Sequence, residues 1–237
     1  MNLVLVSQSD FIAEDVISIR DRRRLEHITH IQQIAMGDSL KLGLLNGQMG
    51  VGEVIFYSGE EIRLSIRLTQ PAPTALPLTL ILALPRPKML KRTLQTVATL
   101  GVKRIYLINS YRVEKSYWQT PLLSKESIHE HLLLGLEQGC DTQLPEVTLV
   151  KRFKPFVEDE LKNIIGNTQA IVAHPYADLP CPAQITHPTT LAIGPEGGFI
   201  PYEINLLENC GFSAVNLGQR IMRVETVVPY LIGRLFA

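Results

Sequence analysis

The sequence contains no apolar run as long as the roughly 20 residues that a membrane-spanning helix needs. Residues 1–6 also lack the basic flank and the long apolar core of a secretory signal peptide. The cysteines Cys140, Cys181 and Cys210 are odd in number and form no Cys-x-x-Cys pair. We therefore expect a cytoplasmic protein without a membrane anchor, a disulfide framework or a structural zinc site.

Acidic residues are absent from residues 62–113, although the whole chain balances 23 Lys and Arg against 23 Asp and Glu. The basic residues of this segment are Arg63, Arg67, Arg86, Lys88, Lys91, Arg92, Lys103, Arg104 and Arg112. A segment whose charged residues are all basic, inside a protein without net charge, predicts a basic surface for an anionic partner such as RNA. The alternative is that these residues are only part of an ordinary solvated surface.

Two common nucleotide-binding motifs are missing as well. No glycine-rich segment is followed by Gly-Lys-Ser/Thr, which excludes a P-loop, and the Gly-x-Gly-x-x-Gly fingerprint of dinucleotide-binding proteins is absent. The chain has 237 residues, of which 46% are hydrophobic and 19% are charged. This composition is typical of a globular enzyme with a substantial core.

The pattern of residues 1–70 predicts a small β-barrel with one short helix. Asn46 and Gly47 lie between two apolar runs, which predicts a hairpin with a type I′ turn, in which both residues have positive φ. Residues 61–68 alternate apolar and polar side chains, as expected for a half-buried strand. Residues 20–34 predict a polar helix.

A proline-rich linker at residues 69–77 separates this part from a second pattern, and we expect domains at residues 1–70 and 77–237. The second pattern alternates strands with helices, which predicts an α/β fold with a mostly parallel sheet covered by helices on both faces. The predicted strands are residues 78–84, 102–108, 146–150 and 170–173, and the predicted helices are residues 87–100, 125–138 and 156–165.

Three clusters near the C-terminus are expected to form the active site. An apolar run enters the turn Gly-Pro-Glu-Gly-Gly at residues 194–198, and the clusters Asn-Leu-Gly-Gln-Arg at 216–220 and Met-Arg-Val-Glu-Thr at 222–226 follow. Ligands of parallel sheets bind in the loops at the carboxyl ends of the strands. Glycine is required where the backbone turns sharply or approaches a ligand closely.

The spacing of these clusters resembles the C-terminal signature of the RsmE family, which are 16S ribosomal RNA methyltransferases of the SPOUT superfamily. The resemblance extends along most of the chain. Further similar positions are His27, Gly37-Asp38, Leu100-Gly-Val102, Tyr111-Arg112, Glu137-Gln138 and Pro145-Glu-Val147.

The resemblance implies methyl transfer from S-adenosylmethionine to N3 of a uridine in 16S rRNA, either free or in the assembled small ribosomal subunit. It also implies a PUA-like N-terminal barrel, a SPOUT α/β domain with a trefoil knot, and a homodimer. No metal and no membrane partner are expected. Nothing in the periodicity of the sequence indicates a knot, and general experience of protein folds argues against one.

The implied cofactor-binding residues are His174, Pro175, Ile193, Gly194, Pro195, Glu196, Gly197, Gly198, Leu217, Gly218, Ile221, Met222, Arg223, Glu225 and Thr226. Arg112 and Arg223 are the catalytic candidates, because uridine N3 must lose a proton and a cation can stabilise the anion that forms on O2 and O4. The alternatives for Arg112 are a phosphate contact and a surface ion pair, and a structural salt bridge with Arg223 is favoured for Glu225. We assign RNA binding to Arg63, Arg67, Lys88, Lys91, Arg92, Lys103 and Arg104.

The sequence departs from the family pattern mainly at positions expected to face RNA. Gln33 stands where the family has an arginine, and residues 139–141 replace its Ser-Gly-Arg. Ile200 stands where a Ser or Thr would cap the helix, although Glu203 occupies the position of a capping-box glutamate. These departures motivate two alternatives: an RNA-binding relative without activity, or a methyltransferase for another base of rRNA or tRNA.

Overall fold

The computed structural model describes residues 2–31 and 34–236, so the departure at Gln33 lies outside the described part of the chain. The chain divides into two compact units. The first comprises Met1–Thr74 together with Leu133–Leu144, and the second comprises Ala75–Leu132 together with Pro145–Ala237. Among the helices of the described residues, none is long and apolar enough to cross a membrane.

The first unit is built on a five-stranded sheet, curled into a half-barrel, with the strand order β1-β3-β4-β5-β2. Strands β1 and β3 are parallel, and the other pairs are antiparallel. Helix α1 begins after the N-cap Asp21, whose side chain accepts a hydrogen bond from the backbone N–H of Arg24 at 2.9 Å. The elements are β1 (Val4–Val6), β2 (Val16–Ile19), α1 (Arg22–Glu26), a π-helical turn (His27–Ile31), β3 (Ser39–Leu44), β4 (Met49–Ser58) and β5 (Glu61–Gln70).

A buried apolar core packs against this sheet. The predicted alternation along β5 is confirmed at Ile62 and Leu64, which are fully buried and separated by the half-buried Arg63. The remaining buried members come from β1, β2, α1, the π-helical turn, β3 and β4, and include Val4, Val6, Ile17, Ile19, Leu25, Ile28, Leu40, Leu42 and Val54. The α-helix predicted over residues 20–34 is shorter than expected, because α1 passes into the π-helical turn at His27.

The hairpin between β3 and β4 is confirmed, but its predicted type I′ turn is wrong. Asn46 has a φ of 59°, whereas Gly47 does not adopt a positive φ. The reason is tertiary, since the Asn46 backbone N–H donates to the Thr142 carbonyl at 2.7 Å and the Asn46 side chain accepts from the Leu144 N–H. The Thr142 hydroxyl donates to the Gly47 carbonyl, so residues 142–144 determine the shape of the turn.

A buried ion pair also stabilises the first unit. Glu137 is 2% exposed, and both of its carboxylate oxygens accept hydrogen bonds from the Arg23 guanidinium, at 2.6 and 3.0 Å. The Glu137 carbonyl accepts the backbone N–H groups of Asn2 and Leu3. Glu137 therefore links α1 and the N-terminal segment to the C-terminal end of the helix Lys125–Gly139, on which it lies.

The second unit is an α/β unit around a seven-stranded sheet of order β10-β12-β9-β11-β6-β7-β8, in which every pair is parallel. This confirms the predicted α/β class and parallel sheet. The strands are β6 (Leu78–Ala83), β7 (Arg104–Ile108), β8 (Glu146–Val150), β9 (Gln169–Ala173), β10 (Leu179–Pro180), β11 (Thr189–Ile193) and β12 (Ser213–Asn216). The helices are α2 (Pro87–Thr99), α4 (Phe153–Pro155), α5 (Leu161–Ile165), α6 (Pro201–Asn209) and α7 (Val224–Phe236), together with α3 (Lys125–Gly139), which begins in the second unit and whose residues from Leu133 onward belong to the first.

The two central strands, β6 and β11, are buried at every position, which explains why they are continuous apolar runs in the sequence. The chain leaves β6 through α2 toward β7 on one side, and it leaves β11 through α6 toward β12 on the other. This reversal creates a crevice at the carboxyl ends of the two strands. The topology therefore places the loops after Ala83 and Ile193 side by side.

Helix α2 has the predicted amphipathic pattern, with Leu90, Leu94 and Val97 buried. Pro87 occupies its first turn, and Gly101 follows its C-cap with a φ of 83°, a conformation that favours glycine. Helix α7 contains Pro229 and packs against α2.

Candidate active site

A cavity of about 400 Å³ lies at the carboxyl ends of β9, β11 and β12. Its walls come from the ends of these three strands and the segments that follow them, from the first turns of α6 and α7, and from Arg112 in the segment after β7. The lining residues are Arg112, Ala173, His174, Pro175, Tyr176, Ile193, Gly194, Pro195, Glu196, Gly197, Gly198, Phe199, Pro201, Val215, Leu217, Gly218, Arg220, Ile221, Met222, Val224 and Val227. Most of these side chains are apolar, so the cavity suits a ligand with a large apolar surface.

The turn after β11 is compact because glycine is present at its two ends. A Cβ atom at Gly194 would lie 3.0 Å from the Phe199 backbone nitrogen and 3.1 Å from the Phe199 ring. Gly198 has a φ of 73°, and its N–H donates to the Pro195 carbonyl at 2.8 Å. Phe199 is buried, and its ring centroid lies 6.0 Å from that of Phe153, which anchors the end of the turn.

Glu196, the carboxylate in this turn, lies at the N-terminus of α2. Its Oε1 accepts the Arg86 backbone N–H at 3.2 Å and lies 3.6 Å from Arg86 Nε. A carboxylate at this position is favoured by the partial positive charge of the helix N-terminus. The structure thus shows Glu196 in contact with a backbone N–H group of another segment.

Arg112 extends from the segment after β7 to the same turn. Its guanidinium donates a hydrogen bond to the Gly197 carbonyl. A Cβ atom at position 197 would lie 3.0 Å from Arg112 Cδ, so glycine allows the close packing of the two segments. Arg112 is therefore part of the cavity wall.

His174 follows β9 and contributes its imidazole ring to the cavity. Burial lowers the pKa of His174 below its ordinary value, and the nearby Glu208 carboxylate only partly opposes this effect. Its Nδ1 is buried and has no hydrogen-bond partner among the described residues. The Tyr176 ring lies edge-on to the imidazole, with 5.7 Å between the ring centroids. A bound ligand with a polar group could satisfy Nδ1.

The loop after β12 is shaped by the side chain of Asn216. Its amide oxygen accepts the Gly218 N–H at 3.0 Å, and its amide nitrogen donates to the Ala177 carbonyl at 2.7 Å. Gly218 has a φ of 94°, which favours glycine. Asn216 thus holds the loops after β9 and β12 together on one side of the cavity.

Comparison with known proteins assigns this arrangement to a family. The family model of the RNA methyltransferase domain matches residues 72–235. The ribosomal RNA small subunit methyltransferase E of Treponema pallidum is 31% identical over 233 residues, which cover 95% of this chain and 87% of that protein. The chain belongs to the RsmE family of RNA methyltransferases. Methyltransferase E 1 of Borreliella burgdorferi is 26% identical, with 95% of this chain and 93% of that protein covered.

Solved structures show the same fold. The methyltransferase E of Neisseria gonorrhoeae, bound to S-adenosyl methionine, gives a TM-score of 0.72 at 20% identity, covering 98% of this chain and 95% of that chain. The Legionella pneumophila protein Lpg2936, in complex with bound SAM, gives 0.73 at 20% identity, with the same coverage of the two chains. The predicted fold class, a SPOUT α/β domain with an N-terminal β domain, is confirmed, while the PUA-like character of the β domain and the trefoil knot stay predictions from the resemblance.

Within this RsmE family member, most of the predicted cofactor-binding residues line the cavity, and three do not. Arg223, Glu225 and Thr226 lie at the start of α7 and are absent from the lining. Arg223 Nη1 lies 3.9 Å from Glu225 Oε1, and the Arg223 side chain is 86% exposed. The two side chains thus form the ion pair that the sequence favours for Glu225.

The sequence does not identify several other lining residues. Tyr176 and Arg220 lie beside predicted residues, in the loops after β9 and β12. Val224 and Val227 are three residues apart on α7, so they face the cavity from one side of this helix, which is not among the predicted elements. Their spacing is a signal that could have revealed the helix, although Pro229 obscures it.

The basic residues assigned to RNA do not lie together in the second unit. Lys88 is exposed in the first turn of α2, close to the carboxyl end of β6, and Lys91 and Arg92 follow one turn later. Lys103 and Arg104 lie at the amino end of β7. Five residues of strand separate this end from the cavity edge, roughly 13 Å at about 3.3 Å per step.

In the first unit, the two arginines assigned to RNA lie on β5. Arg63 Nε lies 2.8 Å from Glu61 Oε1, and its guanidinium lies 4.9 Å from the centroid of the Phe56 ring. Arg67 is exposed. Among the described residues, no group of three or more His, Cys, Asp and Glu side chains is placed to bind a metal ion.

Proposed function

We propose that this protein transfers a methyl group from S-adenosylmethionine to N3 of a uridine in 16S rRNA, free or within the small ribosomal subunit. The observation that supports it most directly is the cavity at the carboxyl ends of β9, β11 and β12, with Arg112 packed on the Gly197 turn. We further propose that it acts as a cytoplasmic homodimer, with residues 1–70 as the RNA-binding domain and residues 77–237 as the catalytic domain.

The cavity fits S-adenosylmethionine in size and chemistry. Its volume of about 400 Å³ lies within the usual range of roughly 300–1,000 Å³ for small-molecule sites. Its apolar walls suit an adenine ring, and His174 Nδ1 is available for a hydrogen bond. The sulfonium is a cation, which the Glu196 carboxylate and a neutral His174 accommodate better than a positively charged wall would.

The cofactor supplies an activated methyl group, so the main task of the protein is to hold donor and acceptor in line. The predicted residues that line the cavity, at 174–175, 193–198, 217–218 and 221–222, are assigned to cofactor binding on this basis. Positioning of this kind supplies roughly 7–11 kcal/mol of a barrier. The tight turn at residues 194–198 serves this purpose because its shape is constrained by glycine and by Phe199.

The protein must also stabilise the uracil when N3 loses its proton. Arg112 is the leading candidate, because it lines the cavity and a guanidinium has five N–H donors, of which the Gly197 carbonyl uses one. Arg223 is the second candidate, and its exposed side chain at the start of α7 is available to RNA. Arg223, Glu225 and Thr226 remain proposed members of the site from the resemblance alone.

Phosphate contacts are proposed for Arg63 and Arg67 on β5, for Lys88, Lys91 and Arg92 on α2, and for Lys103 and Arg104 on β7. Among the basic residues of the second unit, the three on α2 are the best placed to contact RNA bound at the cavity, because this helix begins beside the cavity. Contacts with phosphates contribute affinity without base specificity. Specificity for uridine must therefore come from the residues around the cavity.

The first experiment is calorimetric titration of the purified protein with S-adenosylmethionine. We expect one binding site per chain, and an absence of binding would contradict the enzymatic function and favour an RNA-binding relative without activity. The second is mass-spectrometric nucleoside mapping of 16S rRNA from a deletion strain. We expect 3-methyluridine to disappear and to return with the wild-type gene, and an unchanged level would contradict the N3-uridine assignment.

A further inference from the structure

Glu203, on the first turn of α6, is a buried carboxylate with an unusual pair of partners. It is 3% exposed. Its Oε2 accepts the Ile200 backbone N–H at 3.0 Å, which is the half capping box that the sequence predicts. Its Oε1 accepts the Tyr111 backbone N–H at 2.8 Å, although Tyr111 lies 92 positions earlier in the chain.

These contacts connect two strand ends that are not neighbours in the sheet. Tyr111 follows β7, and Ile200 follows β11, while β6 lies between these strands. Tyr111 immediately precedes Arg112, whose guanidinium donates to Gly197 in the turn that leads to Ile200. Glu203 and Arg112 thus make two hydrogen-bonded connections between the same two segments, one buried and one at the cavity.

A helix cap alone does not account for a buried glutamate at this position. Removing a carboxylate from water is energetically unfavourable, whereas a Ser or Thr side chain at the N-cap would satisfy an N–H group of the first turn at little cost. Position 200 is Ile, so the first turn of α6 depends on Glu203 from within the helix. The second carboxylate oxygen is used to fix the segment that carries Arg112.

We propose that Glu203 is a positioning residue for methyl transfer, which fixes the backbone at Tyr111 and thereby the place of the Arg112 guanidinium at the cavity. Glu203 does not line the cavity, so it acts through Arg112. This inference rests on the proposed function. A displacement of about 1 Å in a positioning contact can reduce a rate by about 10²-fold.

The test compares Glu203→Gln, Arg112→Ala and the double variant under saturating cofactor and RNA. The amide side chain of Gln has nearly the shape of Glu but one acceptor oxygen in place of two, so one of the two N–H groups loses its partner. We expect kcat to fall between about tenfold and about 10²-fold for Glu203→Gln. We expect the double variant to lose no more than Arg112→Ala, since residues that act as a unit are not additive.

Glu137→Gln is the matched control, because Glu137 is also a buried glutamate with a bidentate partner, in the first unit. It should lower thermal stability without lowering kcat well below the unfolding temperature. If Glu203→Gln does not fold, the comparison is repeated with Ile200→Ser in every variant, because the serine supplies the missing cap. Unchanged kcat for Glu203→Gln, or losses that multiply with Arg112→Ala, would overturn the inference.

Two further measurements separate this inference from the proposed function. Wild-type protein that binds no S-adenosylmethionine and transfers no methyl group would contradict the function itself. Hydrogen exchange of the peptide that covers residues 109–113 needs no activity. We expect its protection to fall in Glu203→Gln and not in Glu137→Gln, and unchanged protection would show that Glu203 does not hold this segment.

Discussion

The Arg112 guanidinium donates a hydrogen bond to the Gly197 carbonyl, although the two residues are 85 positions apart. Its aliphatic part packs where a side chain at Gly197 would stand. Arg112 belongs to the basic segment at residues 62–113, which contains no acidic residue. Through this contact, one residue of that segment lies against the glycine-rich turn at residues 194–198. Arg112 is assigned to the uridine, which accepts the methyl group, and the turn is assigned to S-adenosylmethionine, which donates it. The proposed binding sites of the two substrates therefore adjoin at this contact.

Replacing Arg112 should therefore affect the rate more than the binding of the cofactor. We expect Arg112→Lys to reduce kcat by about 10²-fold to 10³-fold, as for the loss of one preorganised donor, because an ammonium lacks the planar fork of a guanidinium. The affinity for S-adenosylmethionine should change by less than the rate. Arg152→Lys, at an exposed position, is the control that should leave both unchanged. A rate equal to that of the wild type would remove Arg112 from the catalytic assignment.

Gly198 should be required for cofactor binding because of its backbone conformation. Its φ of 73° is strained for alanine, at a cost of about 1–2 kcal/mol. Gly211, with a φ of 108°, offers a matched control at the C-terminal end of α6, and a Cβ atom added at either glycine would meet no described residue within 4 Å. We expect both alanine variants to unfold at lower temperature, but only Gly198→Ala to weaken S-adenosylmethionine binding in calorimetry. Equal affinities in the two variants would contradict the assignment of this turn.

The Arg23–Glu137 pair should contribute to the stability of the first unit. Glu137→Gln is expected to lower the free energy of unfolding by about 1–3 kcal/mol, because it removes the charged acceptor from this hydrogen-bonded pair, while the 40% exposure of the Arg23 side chain limits the loss. Glu26→Gln breaks the exposed Arg22–Glu26 pair and should change stability by less than about 0.5 kcal/mol. Urea unfolding of both variants measures the difference, and similar losses would show that burial is unimportant here.

Binding of the cofactor should weaken in mild acid because of His174. Burial holds the pKa of His174 below its ordinary value, so the imidazole is neutral near pH 7 and becomes charged only as the pH falls through that lowered pKa. A charged imidazole would repel the sulfonium. We expect the affinity to stay constant near neutral pH and to fall only below the ordinary histidine pKa of about 6.5, and the His174→Gln variant to show a flatter profile in calorimetry. Parallel profiles would exclude His174 as the titrating group.

Lys88 should contribute to RNA affinity and leave cofactor affinity unchanged. We expect Lys88→Ala to weaken RNA binding and to reduce the slope of log affinity against log salt by about one unit. Fluorescence anisotropy with an RNA fragment at several salt concentrations measures this slope. The same experiment with Arg104→Ala tests the amino end of β7, and a loss of S-adenosylmethionine affinity in either variant would contradict a phosphate contact.

Much of the second unit could be predicted because buried positions are occupied by apolar residues, whose pattern is visible in the sequence. Strands β6 and β11 are buried at every position, so they are apolar runs, and α2 is amphipathic because only one of its faces is buried. The first unit was less predictable at the Asn46-Gly47 turn. Its conformation depends on Thr142 and Leu144, which are about 95 residues away and carry no local signal.

The sequence by itself determined the alternation of strands and helices, the glycine-rich turn at residues 194–198 and its family. These follow from local causes: periodic burial, and a backbone that only glycine accommodates. The tertiary structure decided which side chains meet. It placed Glu196 at the N-terminus of α2, Arg112 on Gly197 and Glu203 beneath Tyr111, and it separated Lys103 and Arg104 from the cavity edge. The physical reason is that strand order in the sheet, which no local pattern encodes, determines which strand ends are close together.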